Sequence, residues 1–380
     1  MNNSYNGHLC IVFALEHYNP LNMIRAFGEN GINPVYISVK RRYETACLSK
    51  YISKLHRVGL VEEGYELLMN TYGNVAVETG KKPYIVFSDD KSVGYFDLHY
   101  EWKDKFITYN AGRAGRINEF MDKYEIQQLA KKHGFNVLDS YVISKEDPLP
   151  EGLWYPIITK DISPNSGNWK NDVFVCWNEQ ELKDAIKQIA SPLIMIQHFV
   201  DKQNEMALEG YTINHGKDIQ IITQMKWKYL IQGYYSPYHD VCMFEDKEME
   251  EKLQAMFEEI GYEGIFEVEF LIDKDGTYYF METNFRASAW NPTCKFAGMP
   301  LDYLWVKGME NGYIAPADRK EFEPFTSMSE VIDFGKRVDG GMVSLAEWLR
   351  DFKDAKCVYI YDKEDRAPWD AVIKNWEQFK

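Results

Sequence analysis

From 264 to 286 the chain reads GIFEVEFLIDKDGTYYFMETNFR, alternating apolar and polar positions on both sides of Asp273-Lys274-Asp275-Gly276. Strict alternation puts successive side chains on opposite faces of a half-buried strand, and Asp-Gly is a strong hairpin turn. With Asp275 and Gly276 as the two turn residues, Lys274 faces Thr277, Glu269 lies opposite Glu282, and Glu267 lies opposite Asn284. Those last four side chains then share one face. Phe266, Val268, Phe270, Ile272, Tyr279 and Met281 form the core face. A four-residue turn slides the pairing but keeps these faces, whereas an odd-length loop does not.

The N-terminal part alternates strands with helices. The pattern predicts strands over 8–15, 33–39 and 83–88, with helices over 20–30 and 61–78 between them. That order implies a small parallel sheet. The first strand is followed by Ala14 to Pro20 with no GxGxxG, so a dinucleotide site is not expected. Asp89-Asp90, at a strand end, suits either a substrate contact or a helix cap. A helix over 120–134 carries Ile126, Leu129 and Ala130 on its apolar side and stops at a glycine. Strands at 136–143 and 155–160 precede a polar loop over 161–172; a strand at 173–176, a helix at 178–190 and a strand at 193–200 follow. Lys160 closes an apolar strand before this Ser/Asn/Gly loop, which suits a mobile flap whose N–H groups meet phosphate; an ordinary surface hairpin fits equally well. Long alternating strands at 205–213 and 219–231 and a helix at 246–260 lead into the acidic hairpin, and a helix at 301–310 follows it. The aromatic-rich tail, 322–380, is expected to pack on the first domain or to serve an oligomer contact, and a homodimer is left open.

A length of 380 residues implies two or three domains. The net charge of −15 argues against a general nucleic-acid surface while leaving room for a local basic cleft. No run of eighteen apolar residues suggests a membrane span, and no basic stretch precedes the first apolar run, so no signal peptide is indicated. Six cysteines without a CxxC fit reduced thiols and a cytoplasmic enzyme.

Like charges facing each other across a sheet are destabilising. Three carboxylates and an amide gathered on one face therefore point to a hard cation, Mg²⁺ or Mn²⁺ rather than zinc. A solvated acidic face is the plainer alternative.

In order, these pieces resemble the ATP-grasp superfamily of carboxylate–amine ligases, over about residues 1–315. The resemblance implies an α/β and α+β fold class: a Rossmann-like preATP-grasp domain (1–112), then a two-subdomain ATP-grasp fold. That fold would comprise a small subdomain with the phosphate flap (113–200) and a large one with the metal site (201–318), before a C-terminal extension (319–380). It implies ATP and Mg²⁺ (or Mn²⁺) as cofactors. Lys123 and Lys160 match the two nucleotide lysines, and Ser166, Gly167 and Lys170 fall in the flap. Gln197, His198, Phe199 and Val200 match the hinge that binds the adenine edge, mainly through main-chain groups. Glu205 matches the acid on the ribose hydroxyls. Glu269, Glu282 and Asn284 match the metal ligands, and Arg286 the arginine facing the transferred phosphoryl or the carboxylate. Glu267 is an extra acid, read as supporting the ligands. Lys226 and Lys228 lie on the strand that supplies a basic residue to the reacting centre, or form an exposed charged face. Within the superfamily the nearest pattern is the D-aspartate ligase-like group, on Ser49-Lys50-Tyr51, Gly233 and the segment 362–368.

The implied chemistry turns a carboxylate into an acyl phosphate that an amine attacks, giving an amide or peptide bond. The substrates would be a small-molecule carboxylate and amine, an amino acid or cell-surface precursor among the options. No histidine nucleophile is required, so His198 and His239 are read as hinge and surface residues. A kinase-like transferase and a non-catalytic nucleotide-binding protein are the alternatives.

Overall fold

The structure, a computed structural model, describes residues 2–41, 43–162, 172–231 and 236–376. Short Val/Ile/Phe-rich runs build the first sheet: β1 (Ser4–Tyr5), β2 (His8–Leu15), β3 (Val35–Val39), β4 (Lys54–Val58) and β5 (Tyr84–Phe87). β2 pairs in parallel with β3 and β5, and β3 with β4, so four strands run in the order β4-β3-β2-β5; β1 caps the start of β2 in antiparallel fashion. β2, β3 and β5 are buried on both faces, as crossover helices require. The sequence pattern missed β4, whose charged residues hide its period, and the helix Asp90–Leu98 after β5. The long helix predicted over 61–78 is two helices, Val61–Tyr72 and Val75–Thr79, separated at Gly73 and Asn74.

The helix predicted over 120–134 is likewise broken, into Arg116–Met121 and Lys123–Lys132. Asp122 is extended there (φ −68°, ψ 120°), and its carboxylate accepts from Tyr124 and Glu125 N–H. An aspartate that caps the second helix thus ends the first. A four-stranded sheet follows, β6 (Ser140–Ser144), β7 (Ile157–Lys160), β8 (Val175–Cys176) and β9 (Leu193–His198), in the order β6-β9-β7-β8, with its own small core under the helix Glu179–Gln188.

The largest sheet has seven strands: β10 (Asn204–Ile213), β11 (Asp218–Trp227), β12 (Tyr238–Cys242), β13 (Gly264–Ile272), β14 (Tyr278–Asn284), β15 (Phe325–Met328) and β16 (Cys357–Val358). Their order is β14-β13-β10-β11-β12-β15-β16. The tail therefore extends this sheet and is no separate appendage. The α/β then α+β class matches the sequence expectation. At Gly210, beside a bulge in the β10–β11 pairing, a Cβ would lie 2.3 Å from Gln220 O, so only glycine lets the two backbones meet.

The acidic hairpin keeps its predicted pairing by a route the sequence pattern did not show. Glu269 is opposite Glu282 and Glu267 opposite Asn284, yet beyond them Phe270 pairs with Phe280 and Ile272 with Tyr278. The loop is one residue longer than a two-residue turn, with Asp273 N–H bonded to Thr277 O, and a bulge between Glu269 and Phe270 absorbs the extra residue. As a correction, Phe280 takes the core position on β14, packed against Phe135 and Phe270, while Tyr279 and Met281 are only partly buried.

The tail also grips the first sheet's layer. Arg25 and Asp365, each 1 % exposed, form a 3.0 Å ion pair. Asp365 accepts from Ser49 Oγ at 2.7 Å and Lys50 N–H at 2.9 Å, and Arg25 donates to the Ile360 and Asp365 carbonyls. The helix Ala367–Lys374 then packs near the turn Ala46–Leu48. Removing one partner of a buried, fully bonded pair strands the other charge. Asp365→Ala should therefore lower unfolding free energy by about 3–5 kcal/mol in urea titrations; a loss below about 1 kcal/mol, the range of an exposed pair, would reject this anchor.

Candidate functional site

Pairing and alternation assemble the site wall. Ala207 lies opposite Glu269 and Glu209 opposite Glu267 on the β10–β13 ladder. Side chains two apart share a face, so Glu205, Glu209, Glu267, Glu269, Glu282 and Asn284 all project from one side of the sheet. Three cations from other elements meet this wall. Lys123, the first residue of its helix, places Nζ 3.3 Å from Glu282 Oε2. Lys160, at the end of β7, donates to Gln197 Oε1 at 2.8 Å. Gln197 passes the chain to Gln127 Oε1 at 2.9 Å, and Gln127 to the Met281 carbonyl at 2.7 Å. Lys123 N–H also binds Ile162 O at 2.7 Å, so the two lysines are tied through backbone. Arg286 holds Asp90 with two nitrogens, at 3.1 and 3.3 Å, and donates to Asn284 Oδ1 at 3.0 Å. Its third nitrogen lies 3.7 Å from Glu267.

The charges are strongly coupled. Burial, with Glu267 and Glu282 nearby, raises the Glu269 carboxyl well above its usual range. Burial pushes Glu267 up to about 7, Arg286 opposing it. Glu209 is also driven up, first by burial and then by Glu267. Glu282 stays below the usual range, because Lys123 and Lys160 outweigh its own burial. Lys160 is lowered to about 8, first by burial and then by Lys123. The wall thus carries more carboxylate than its cations neutralise.

That imbalance is the test of whether a cation fits. Asn284 Nδ2 donates to Glu267 at 2.9 Å, Glu267 Oε1 is buried without a partner, and Glu269 is held among like charges. Among the described residues no three histidine, cysteine, aspartate or glutamate side chains form a ready metal cage. The set available is two carboxylates and an amide, Glu269, Glu282 and Asn284, all oxygen donors suited to Mg²⁺ or Mn²⁺. They fit such an ion in chemistry.

Other predicted residues fall as follows. Glu205 shares the wall and accepts from Trp227 Nε1 at 2.8 Å, with Lys202 on its other oxygen. In the stretch 197–200, His198 and Phe199 N–H groups are spent on Asp139 and Pro156 carbonyls, and the Gln197 side chain turns to Lys160. Val200 N–H forms no hydrogen bond among the described residues. His198 stacks on Trp154, ring centroids 3.9 Å apart. Ser166, Gly167, Lys170 and Gly233 lie outside the described residues.

Two expectations are corrected. Lys226 lies opposite Met206, whose other neighbour is Phe270, so Lys226 and Lys228 project from the face away from the carboxylates. Lys226 donates to Tyr278 OH at 2.8 Å and Lys228 to Asp240 at 2.9 Å. Neither is placed to reach the reacting centre. His239, read as a surface residue, is fully buried between Trp227 and Trp290 and bonded to the Ser236 carbonyl; burial lowers it to about 3. Asp89 caps the helix Asp90–Leu98 through Ser92, whereas its neighbour Asp90 reaches Arg286. Sequence reasoning missed Glu209 and Gln127. Glu209 alternates with Glu205, a visible signal, but its meeting with Glu267 needed the β10–β13 register.

Residues 122–309, just under half of the chain, match the family model of the carbamoyl-phosphate synthase L chain, ATP binding domain. Over these residues the chain is similar to that ATP-binding domain, and its fold is that of the ATP-grasp proteins. It is 26% identical over 171 residues to a D-alanine–D-alanine ligase of Fusobacterium nucleatum, covering 43% of this chain and 55% of that one. It is 22% identical over 196 residues to the propionyl-CoA carboxylase alpha chain of Ruegeria pomeroyi, covering 47% of this chain and 28% of that one. The chain thus spans about half or less of these curated relatives. N5-carboxyaminoimidazole synthetase from Staphylococcus aureus shares the fold, with a TM-score of 0.66 and 16% identity over 90% of this chain and 87% of that one.

Burial and the Lys123 charge both favour neutral Lys160, so its ammonium should lose its proton near pH 8 in ligand-free protein. NMR of lysine-labelled protein should show one side chain titrating there, absent from Lys160→Arg. If every lysine titrates near the ordinary 10.5, the buried placement of Lys160 is wrong.

Proposed function

We propose that the chain is an ATP-dependent, ADP-forming ligase that activates a carboxylate as an acyl phosphate and joins it to an amine. The observation that carries this is the convergence of Lys123, Lys160 and Arg286 on the oxygen wall of Glu269, Glu282 and Asn284. The carboxylate substrate takes the γ-phosphoryl group as the bond to the β-phosphate oxygen breaks, releasing ADP. The amine nitrogen then attacks the acyl carbon, phosphate leaves, and the nitrogen's proton passes to solvent or phosphate. Phosphoryl transfer needs position and countercharge more than covalent help. Lys123 and Lys160 supply charge toward the phosphates, and Arg286, steadied by Asp90, faces the oxygen that accepts the phosphoryl group. A divalent ion on Glu269, Glu282 and Asn284 would add positive charge to the phosphates when bound. The D-alanine–D-alanine ligase among its relatives supports amide formation. The short segments behind the D-aspartate ligase-like resemblance touch each other through Ser49 and Asp365, so packing accounts for them. The proposed partners are accordingly kept at the class level, a carboxylate and an amine.

Incubation with ATP, Mg²⁺, hydroxylamine and pooled carboxylic and amino acids should yield hydroxamate together with ADP. ADP with a stable phosphate ester would instead make the protein a kinase, and no nucleotide turnover with any acid would leave it a binding protein. Glu282→Gln and Asn284→Ala should each cut ADP formation by roughly 100-fold or more. Both line the site wall and sit outside the apolar core, so their melting temperatures should stay close to that of the unmodified protein. A variant with full turnover would remove that residue from the ligand set.

A further inference from the structure

The first sheet carries a cavity that the site above does not use. It has a volume of about 430 Å³ and is lined by Glu16, Ser38, Lys40, Arg41, Glu44 and Arg57, among others. Its position follows from topology. β2, β3 and β4 run parallel, and these residues sit at or just past their carboxyl ends, where open parallel sheets bind ligands. The loops are fixed there by Glu16 N–H on Val39 O and Lys40 N–H on Val58 O.

The charges in this cavity do not cancel. Glu16 is spent on the protein: its carboxylate accepts from Tyr36 OH at 2.7 Å, Ser38 Oγ at 3.0 Å, and the Thr45 and Ala46 N–H groups at 2.6 Å each. Glu44 is spent on Arg57 in a two-point pair at 2.7 and 3.1 Å. The side chains of Lys40 and Arg41 form no hydrogen bond or ion pair among the described residues, and both are exposed to the cavity mouth. Two uncommitted cations over a concave floor, in a chain of net charge −15, are an anion-binding arrangement.

Its distance from the catalytic wall gives it a use. Asp90, which holds Arg286, follows β5, and β2 separates β5 from β3. Strands lie about 4.8 Å apart, so Lys40 and Arg41, after β3, sit roughly 10 Å along the same sheet edge. We infer that this cavity binds the phosphate or carboxylate handle of a substrate whose reacting group lies at Arg286. That the ligand is a substrate rests on the ligase reading; the anion site itself does not.

The test uses the full chain and inorganic pyrophosphate and citrate as probes, titrated calorimetrically with EDTA present. At least one probe should bind, and binding should survive saturation of the nucleotide site with a non-hydrolysable ATP analogue and Mg²⁺ in a parallel titration without EDTA. The pair Lys40→Gln with Arg41→Gln should weaken it by roughly tenfold or more, since two charge-assisted contacts are lost. Glu44→Gln should tighten it by releasing Arg57. ATP-analogue affinity should be unchanged in both variants, which also reports that they are folded. No binding of either probe, equal affinity in the double variant, or complete displacement by the ATP analogue would overturn the site. A failed hydroxamate assay with intact probe binding would reject the ligase reading and leave the anion site standing.

Discussion

Like charge packed on one face of a sheet is the constraint from which the rest of this structure follows. Glu209, Glu267, Glu269 and Glu282 occupy adjacent positions on three strands, a placement that costs stability unless cations answer it. The protein answers with one cation from each of three places: the helix start at Lys123, the end of β7 at Lys160, and the exit of β14 at Arg286. None of the three neutralises the wall alone. Lys123 and Lys160 keep Glu282 ionised while repelling each other, and Glu269 stays crowded by Glu267 and Glu282. A site in this state gains more from a divalent ion and a polyphosphate together than from either one singly, because each supplies the charge that the other leaves unbalanced.

Positioning those cations needs contacts between distant parts of the chain. Arg286 is held by Asp90 from the layer of the first sheet, and Ala287 N–H adds a backbone bond to Phe87 O. Lys160 is aligned by Gln197 and Gln127, the latter anchored on the Met281 carbonyl of β14. Each lever thus ends on the acidic hairpin or beside it. The tail closes the other side: buried Glu330 accepts from the N–H groups of Tyr359, Ile360 and Tyr361, the segment that also takes Arg25. Charge on one hairpin therefore couples the two larger sheets.

How much of this was legible follows from how local each signal is. The pairing of Glu269 with Glu282 was readable because alternation and an Asp-Gly turn act within twenty residues. The loop was in fact odd, and the bulge at Glu269–Phe270 rescued the faces, which is why Phe280 replaced Tyr279 and Met281 in the core. The direction of Lys226 and Lys228 was not readable. It depends on which face of β11 meets β10, a register set by strands far apart in sequence. Glu209 and Gln127 stayed hidden for the same reason, each being polar at a position whose burial is decided by a distant partner. Asp122 shows the opposite case, where one capping side chain overrode a helical period that looked continuous.

The same reasoning separates the two kinds of buried charge in the molecule. Arg25–Asp365 and Glu330 are saturated with hydrogen bonds, so they fix geometry and have nothing left to offer a ligand. Glu16, just after β2, belongs with them: six bonds from its own neighbours consume it. Glu267 and Glu209 are different, each keeping one buried oxygen without a partner. These two open acids face each other across the β10–β13 ladder, behind Asn284 and Arg286. Desolvated carboxylates there raise the cost of moving Arg286 or Asn284 out of place, because either departure strips a partner from Glu267. The unmet polarity thus acts as a brace, holding the amide and the guanidinium aimed at the face where charge would develop.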